Sequence, residues 1–431
     1  MNSGVAFLFP GQGSYVPGVF AGLGADTGRV AAVVAEIDAA VAEFRLEPVR
    51  PLLFSPDAPG AAELLESDHE RLDVAILATS VALAELLESR HGMSPDHVAG
   101  HSLGEFAALA VAGVLTPGDA ARAVCERHAT LRKAPPPTGG MLAVKADRAR
   151  AEELIAAAGA GTSAVSALNS PGQTVISGAE ADLVKVQQLA REEGIRNSRL
   201  LVPGPFHVPQ LADASALYAT TMRTIPMSAP RERFFYSHGL GRFLTAQDDV
   251  VDLMVADMTR PVRFHDSVRA LNAEGVTTYV ECGALDVLTR IVSGSLPRAV
   301  TLAPLREAMT APDLSARLRP AGAPAVNGVA APAGPAPAAA VDPEVLAGVR
   351  AACAEVLEYP LEVITDDADF QADLGVDSLA MTELQAHALQ RFGLKETLQD
   401  ADTGTYGTVS GLAAYITGLL SEGTGSVSGQ R

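Results

Sequence analysis

The sequence predicts an α/β domain followed by a small all-α module, and three observations lead there. Apolar strand-like runs alternate with helical stretches over residues 1–310. A segment at 321–340, uncharged and with seventeen of its twenty residues Ala, Pro or Gly, cannot bury a core and reads as a linker. Charge then changes: residues 343–431 carry fourteen Asp or Glu against four Lys or Arg, so −10 of the net −19 lies in the last fifth of the chain.

Strands are expected at 5–9, 97–100 and 278–281, and helices at 73–90 and 117–131. Residues 140–202 have an order of their own. MLAVKA reads as a strand, RARAEELIAAAG as a helix, SAVSAL and QTVISG as a strand pair, ADLVKVQQLAREEG as a helix and IRNSRLLV as a last strand. This βαββαβ order predicts a ferredoxin-like insert over about 138–203. A linker is expected over 311–342, then helices at 344–358, 379–392 and 409–420. Val345, Val349, Cys353, Val356 and Leu357 follow the three-and-four spacing of an amphipathic helix, so 343–424 is expected to form a small helical bundle.

Composition narrows the function. A chain of 431 residues with 48% hydrophobic residues and mean hydropathy +0.19 suits two or three globular domains. There is no run of eighteen apolar residues, and MNSGVAFLFPGQG lacks a basic region and a small-residue cleavage site, so a soluble cytoplasmic protein without a membrane partner is expected. Cys125, Cys282 and Cys353 are too far apart for a disulfide framework or a CxxC metal site, and no metal is expected. The negative charge argues against nucleic acid as a partner.

The stretch VAGHSLGEF at 98–106 carries chemistry. Gly100-His101-Ser102-Leu103-Gly104 has the spacing of a strand-to-helix nucleophile elbow, in which glycines clear space for a serine on a tight turn beside a helix N-terminus. A plain turn fits the five residues equally well. Serine is a poor nucleophile until a base lies within hydrogen-bond reach, and an oxyanion needs two donors.

Other motifs occur in a telling order: FPGQGSY at 9–15, GHSLGE at 100–105, Arg127 ahead of GGM, NSPGQTVISG at 169–178, GPFH at 204–207 and VECGALDVL at 280–288. Over about residues 4–305 the chain resembles the malonyl-CoA:acyl carrier protein transacylases and polyketide synthase acyltransferase domains. The resemblance implies an α/β-hydrolase-like acyltransferase core. It implies Ser102 as nucleophile, His207 as base, Leu103 and Gln12 as the oxyanion hole, and Arg127 as the clamp for a malonyl-type carboxylate. Asn169 is expected to shape a loop near the site, and His101 to be positional. Leu103 and Phe206 resemble malonyl-selective members of the family. Two positions depart from the pattern: Asp73 and Asp257 stand where relatives commonly carry Gln. Asp257 could orient His207 through its backbone carbonyl or complete a Ser-His-Asp set with its carboxylate.

DLGVDSL at 373–379 resembles the phosphopantetheine attachment motif of acyl carrier proteins, with Ser378 as the attachment point and Glu383 among the acids facing basic partners. The resemblance therefore implies an acyltransferase fused to a carrier protein. Its cofactor would be 4′-phosphopantetheine and its substrate an acyl-CoA. Its partners would be carrier domains in cis or in trans, a phosphopantetheinyl transferase and polyketide synthase modules. An acyl hydrolase, a carrier protein with a decayed first domain, and a transferase for amino- or hydroxymalonyl groups are the alternatives. The first two are opposed by Arg127 and by the intact Gln12, Ser102 and His207 set, and the third is raised by the acids at 73 and 257.

Overall fold

Among the described residues, ten strands form two sheets. In chain order β1 is Gly4–Phe9, β2 His97–Gly100, β3 Gly139–Val144, β4 Ala164–Ser170, β5 Gln173–Ala179, β6 Asn197–Arg199, β7 Phe235–Ser237, β8 Arg242–Phe243, β9 Val276–Glu281 and β10 Val300–Leu302. These come from a computed structural model that describes residues 4–23, 27–231, 234–308, 342–357, 361, 364–366, 368, 370, 378–394 and 407–424. Residues 311–341 of the expected linker, and residues 373–377 of the DLGVDSL motif, lie outside the described residues. The chain divides into two compact units, Met1–Met141 with Ala146–Val184 and Leu200–Ala323, and Leu142–Lys145 with Lys185–Arg199 and Pro324–Arg431.

The larger sheet has the order β10-β9-β1-β2-β7-β8. Its first five strands pair in parallel and β8 closes the edge antiparallel to β7. Ala6, Phe7, Leu8 and Phe9 are wholly buried, as expected for an inner parallel strand covered on both faces. The register pairs Phe9 with Gly100, which brings the loop after β1 beside the GHSLG turn after β2.

Helices α1 (Thr27–Ala42), α2 (Arg50–Phe54), α3 (Ala61–Ser67), α4 (His69–His91), α5 (Gly104–Val111) and α6 (Pro117–Lys133) belong to this domain, as do α9 (Ala212–Met222), α10 (Val250–Asp257), α11 (Phe264–Ala273), α12 (Val287–Ser295) and α13 (Pro304–Ala308). The long α4 starts before the expected residue 73 because the Asp68 carboxylate accepts from the Arg71 N–H as an N-cap, and it stops at Gly92 with φ 62°. It is buried along nearly its whole length from Leu72 to Leu87, which is why its sequence is apolar all round.

The insert follows the predicted βαββαβ order, with α7 (Arg148–Ala157) and α8 (Glu180–Glu192) joining strands in the order β4-β5-β3-β6. Its last strand is shorter than IRNSRLLV predicts. Only Asn197–Arg199 are in the strand, and Leu200 and Leu201 are 36% and 48% exposed, with no apolar face to cover them. Strands β7, β8 and β10 were not anticipated; at two or three residues each they are too short to show a period.

The acidic module contributes α14 (Pro343–Leu357), α15 (Ser378–Arg391) and α16 (Val409–Thr424). Val345, Val349 and Cys353 are buried with Phe370, Leu384, Leu412 and Ile416, while Val356 and Leu357 are partly buried against the same cluster. All three cysteines are buried and free. Among the described residues no helix is long and apolar enough to cross a membrane.

Candidate active site

Ser102 follows β2 with φ 53°, a left-handed conformation that a residue with a Cβ seldom adopts. The flanking glycines make the turn possible. A Cβ on Gly100 would stand 2.3 Å from the Glu105 nitrogen, and one on Gly104 only 1.9 Å from the Phe9 carbonyl oxygen. We expect Gly104→Ala to destabilise the domain by about 3 kcal/mol or more, because rigid backbone cannot yield to the added carbon. A thermal midpoint within a degree or two of the parent would contradict the tight packing of β1 on the elbow.

His207 also has positive φ, 59°, and its imidazole is 4% exposed. Its Nε2 lies 2.7 Å from Ser102 Oγ, and its Nδ1 lies 2.8 Å from the Asp257 backbone oxygen at the end of α10. A carbonyl only accepts, so Nδ1 carries the proton and the neutral ring offers Nε2 as acceptor to the Ser102 hydroxyl. Burial holds the imidazole below its ordinary pKa, aided by the His238 and Arg127 charges and opposed by Asp257. The arrangement can deprotonate a serine near neutral pH. The two roles left open for Asp257 are thus distinguished by geometry: its carbonyl makes the bond, while its carboxylate Oδ1 stands 3.5 Å from Nδ1 and 3.2 Å from His238 Nε2.

The loop after β1 lies against the elbow. A Cβ on Gly11 would come 2.9 Å from the His101 oxygen and 3.4 Å from the Leu103 nitrogen. Leu103 therefore borders the turn that carries Gln12. The Gln12 side chain points elsewhere: its Nε2 donates to both Asp73 oxygens, at 2.9 and 3.0 Å.

Asp73, on α4, is wholly buried and occupied by the protein itself. Besides Gln12, its Oδ2 accepts from Arg127 Nη2 at 3.1 Å and faces His128 Nε2 at 3.0 Å. Burial alone would raise this carboxyl, but His128, Arg127 and Gln12 together hold it below its usual range. Arg127 points inward from α6 with 7% exposure, its guanidinium 5.4 Å from the Phe106 ring centre and 5.9 Å from that of Phe206, and its Nε has no acceptor. Asn169, on β4, holds the residue before the serine: its Oδ1 accepts from His101 Nε2 at 2.8 Å. Burial pushes His101 down to about 4, so that ring is neutral and positional. In VECGALDVL, Glu281 accepts from the N–H groups of Leu288 and Thr289, both at 2.9 Å, and so seats α12.

His128, Glu105 and His238 were not anticipated. Each becomes visible only when the fold brings distant segments together, and no spacing in the sequence links His238 to the elbow. Ser378 opens α15, and its side chain lies outside the described residues.

Residues 6–317 match the acyl transferase domain family. The chain belongs to that family. This acyltransferase also matches the phosphopantetheine attachment site family over residues 347–416, so its second module carries a covalently attached 4′-phosphopantetheine. It is 30% identical over 306 residues to the malonyl CoA-acyl carrier protein transacylase of Bacillus subtilis, covering 70% of the chain and 93% of that protein. It is 34% identical over 296 residues to the spectinabilin polyketide synthase system protein NorB of Streptomyces orinoci, covering 68% of the chain but only 13% of that much longer relative. A solved malonyl-CoA:acyl carrier protein transacylase from Xanthomonas oryzae superposes with a TM-score of 0.63 at 30% identity, over 70% of the chain and 94% of that structure. The expected acyltransferase core and helical carrier module are both supported by these matches.

Proposed function

We propose that this acyltransferase takes a malonyl-type group from a CoA thioester as an ester on Ser102 and passes it to a carrier domain, its own or another. The carrying observation is the 2.7 Å contact of Ser102 Oγ with His207 Nε2, the ring fixed by the Asp257 carbonyl. His207 takes the hydroxyl proton as Oγ attacks the thioester carbonyl, and the N–H groups of Leu103 and Gln12 receive the developing oxyanion. The proton returns to the departing CoA sulfur. Phosphopantetheine held on Ser378 would supply the accepting thiol. His207 takes the proton of the incoming thiol and gives it to Ser102 Oγ as the ester bond breaks, which restores the serine hydroxyl.

Arg127 supports transfer of a carboxylated group over hydrolysis, since a hydrolase of varied acyl groups gains nothing from a buried cation whose charge reaches His207. The pairing of Asp73 with Gln12, Arg127 and His128, and of Asp257 with His238, favours plain malonyl over amino- or hydroxymalonyl, because the acids that raised those alternatives face protein partners. We place the acyltransferase domain at 1–310, a linker at 311–342 and the carrier at 343–424. A tether of that length corresponds to an effective carrier concentration of about millimolar, enough for self-loading. The test is the intact mass of the phosphopantetheinylated protein after incubation with separate acyl-CoAs. A malonyl gain on both serine sites is expected. A gain only with hydroxymalonyl- or aminomalonyl-CoA would overturn the substrate, and free malonate without carrier loading would make the enzyme a hydrolase.

A further inference from the structure

Behind His207 lies a cluster that the transfer chemistry does not use. Glu105 on α5, His238 just after β7 and Asp257 at the end of α10 are 3%, 1% and 6% exposed. His238 Nε2 stands 3.2 Å from Asp257 Oδ1 and 3.4 Å from Glu105 Oε1, and the His238 N–H donates to Glu105 Oε1 at 3.3 Å. Neither ring nitrogen of His238, nor Asp257 Oδ1, nor Glu105 Oε2 has a hydrogen bond of good direction. These groups meet as charges. An isolated ionised carboxylate in such a place is strongly disfavoured unless an opposite charge accompanies it.

We propose that His238 is a positioning residue that, as an imidazolium, balances the Asp257 carboxylate and thereby keeps His207 neutral and able to accept the Ser102 proton. This rests on the reading of His207 as the base. Asp257 Oδ1 is 3.5 Å from His207 Nδ1, near enough for an unbalanced carboxylate to stabilise the protonated ring and remove the acceptor that serine needs. The cation on His238 opposes that effect.

The titration directions agree. Burial alone would raise Asp257 and lower His238. His207 first and then His238 bring Asp257 down to about 2, while Glu105 first and then Asp257 hold His238 above its ordinary value. Glu105 is pushed up to about 7 by burial and by Asp257, against the opposing pull of His238. The remaining groups facing His207 are His101, which is neutral, and Arg127, whose charge is met by Asp73.

The pH dependence of kcat/KM for malonyl transfer tests this in the full-length phosphopantetheinylated protein. In His238→Asn the acidic limb is expected to move up by about one unit or more, a loss of about tenfold at the foot of the limb relative to the variant's own alkaline plateau. Adding Asp257→Asn should bring the limb back down. A folded His238→Asn protein with an unmoved limb overturns the proposal. If His238→Asn does not fold, Asp257→Asn alone is read instead: the limb should move down, and an unmoved or raised limb overturns the proposal. His207→Ala separates the two levels. If it retains the parent limb, His207 is not the base and both readings fall, whereas an inactive His207→Ala beside an unmoved His238→Asn limb removes only the role of His238.

Discussion

Ser102→Ala is expected to abolish acyl-enzyme formation and lower kcat by roughly 10⁴–10⁶, the range seen when the nucleophile of a serine–histidine unit is removed. The fold should survive. Alanine at φ 53° meets the same backbone strain as serine. The main structural loss is one bond, which leaves buried Nε2 of His207 without a partner at a cost of about 1–3 kcal/mol. Ser378 sits in a separate module, so the variant should still accept the phosphopantetheine arm. Radiolabelled malonyl-CoA followed by acid quench measures the first outcome, and intact mass the second. A Ser102→Ala protein that loads its own carrier at the parent rate would remove the nucleophile assignment.

Arg127→Ala should invert substrate preference. Taking one partner from a desolvated ion pair costs about 3–5 kcal/mol, which at about 1.4 kcal/mol per tenfold corresponds to a loss of roughly 10²–10³ or more in kcat/KM for a carboxylated donor. Asp73 already engages one edge of the guanidinium at 3.1 Å, which places the expected loss toward the lower end of that range. Acetyl-CoA has no carboxylate to lose, so its transfer should be unchanged or faster. The measurement is the ratio of the two rates in purified, folded variant. An equal fall for both donors would make Arg127 a structural residue and withdraw the main support for malonyl as substrate.

Local signals carried most of the fold. The apolar run of β1, the GHSLG turn and the βαββαβ order of the insert are short-range patterns, and each stands in the structure close to where the sequence placed it. What escaped was set by distance in the chain. Nothing near Asp73 indicates that its carboxylate would meet Gln12, 61 positions earlier, and His128, 55 positions later. As pocket acids, Asp73 and Asp257 suggested an unusual acyl group; paired with Arg127 and His238, they become internal counter-charges. Residue type identified where charge lies, and only the fold showed what neutralises it. The end of β6 departs from the sequence pattern for a related reason: Leu200 and Leu201 have strand-like character but no surface to pack against.

Asp73 accepts from both Gln12 and Arg127, so a single carboxylate ties the loop proposed to border the oxyanion site to the cation proposed to hold the far end of the acyl group. Such a bridge makes the two ends of a bound donor thermodynamically linked. Any donor whose carboxylate draws Arg127 away from Asp73 changes how firmly Asp73 holds Gln12, and reciprocity requires that whatever fixes Gln12 change the affinity of Arg127 for that carboxylate by the same factor. Selectivity in this enzyme would then be expressed at the reacting carbonyl as well as at the clamp: a donor lacking the carboxylate would meet a differently tensioned oxyanion loop, even though its own carbonyl is chemically the same.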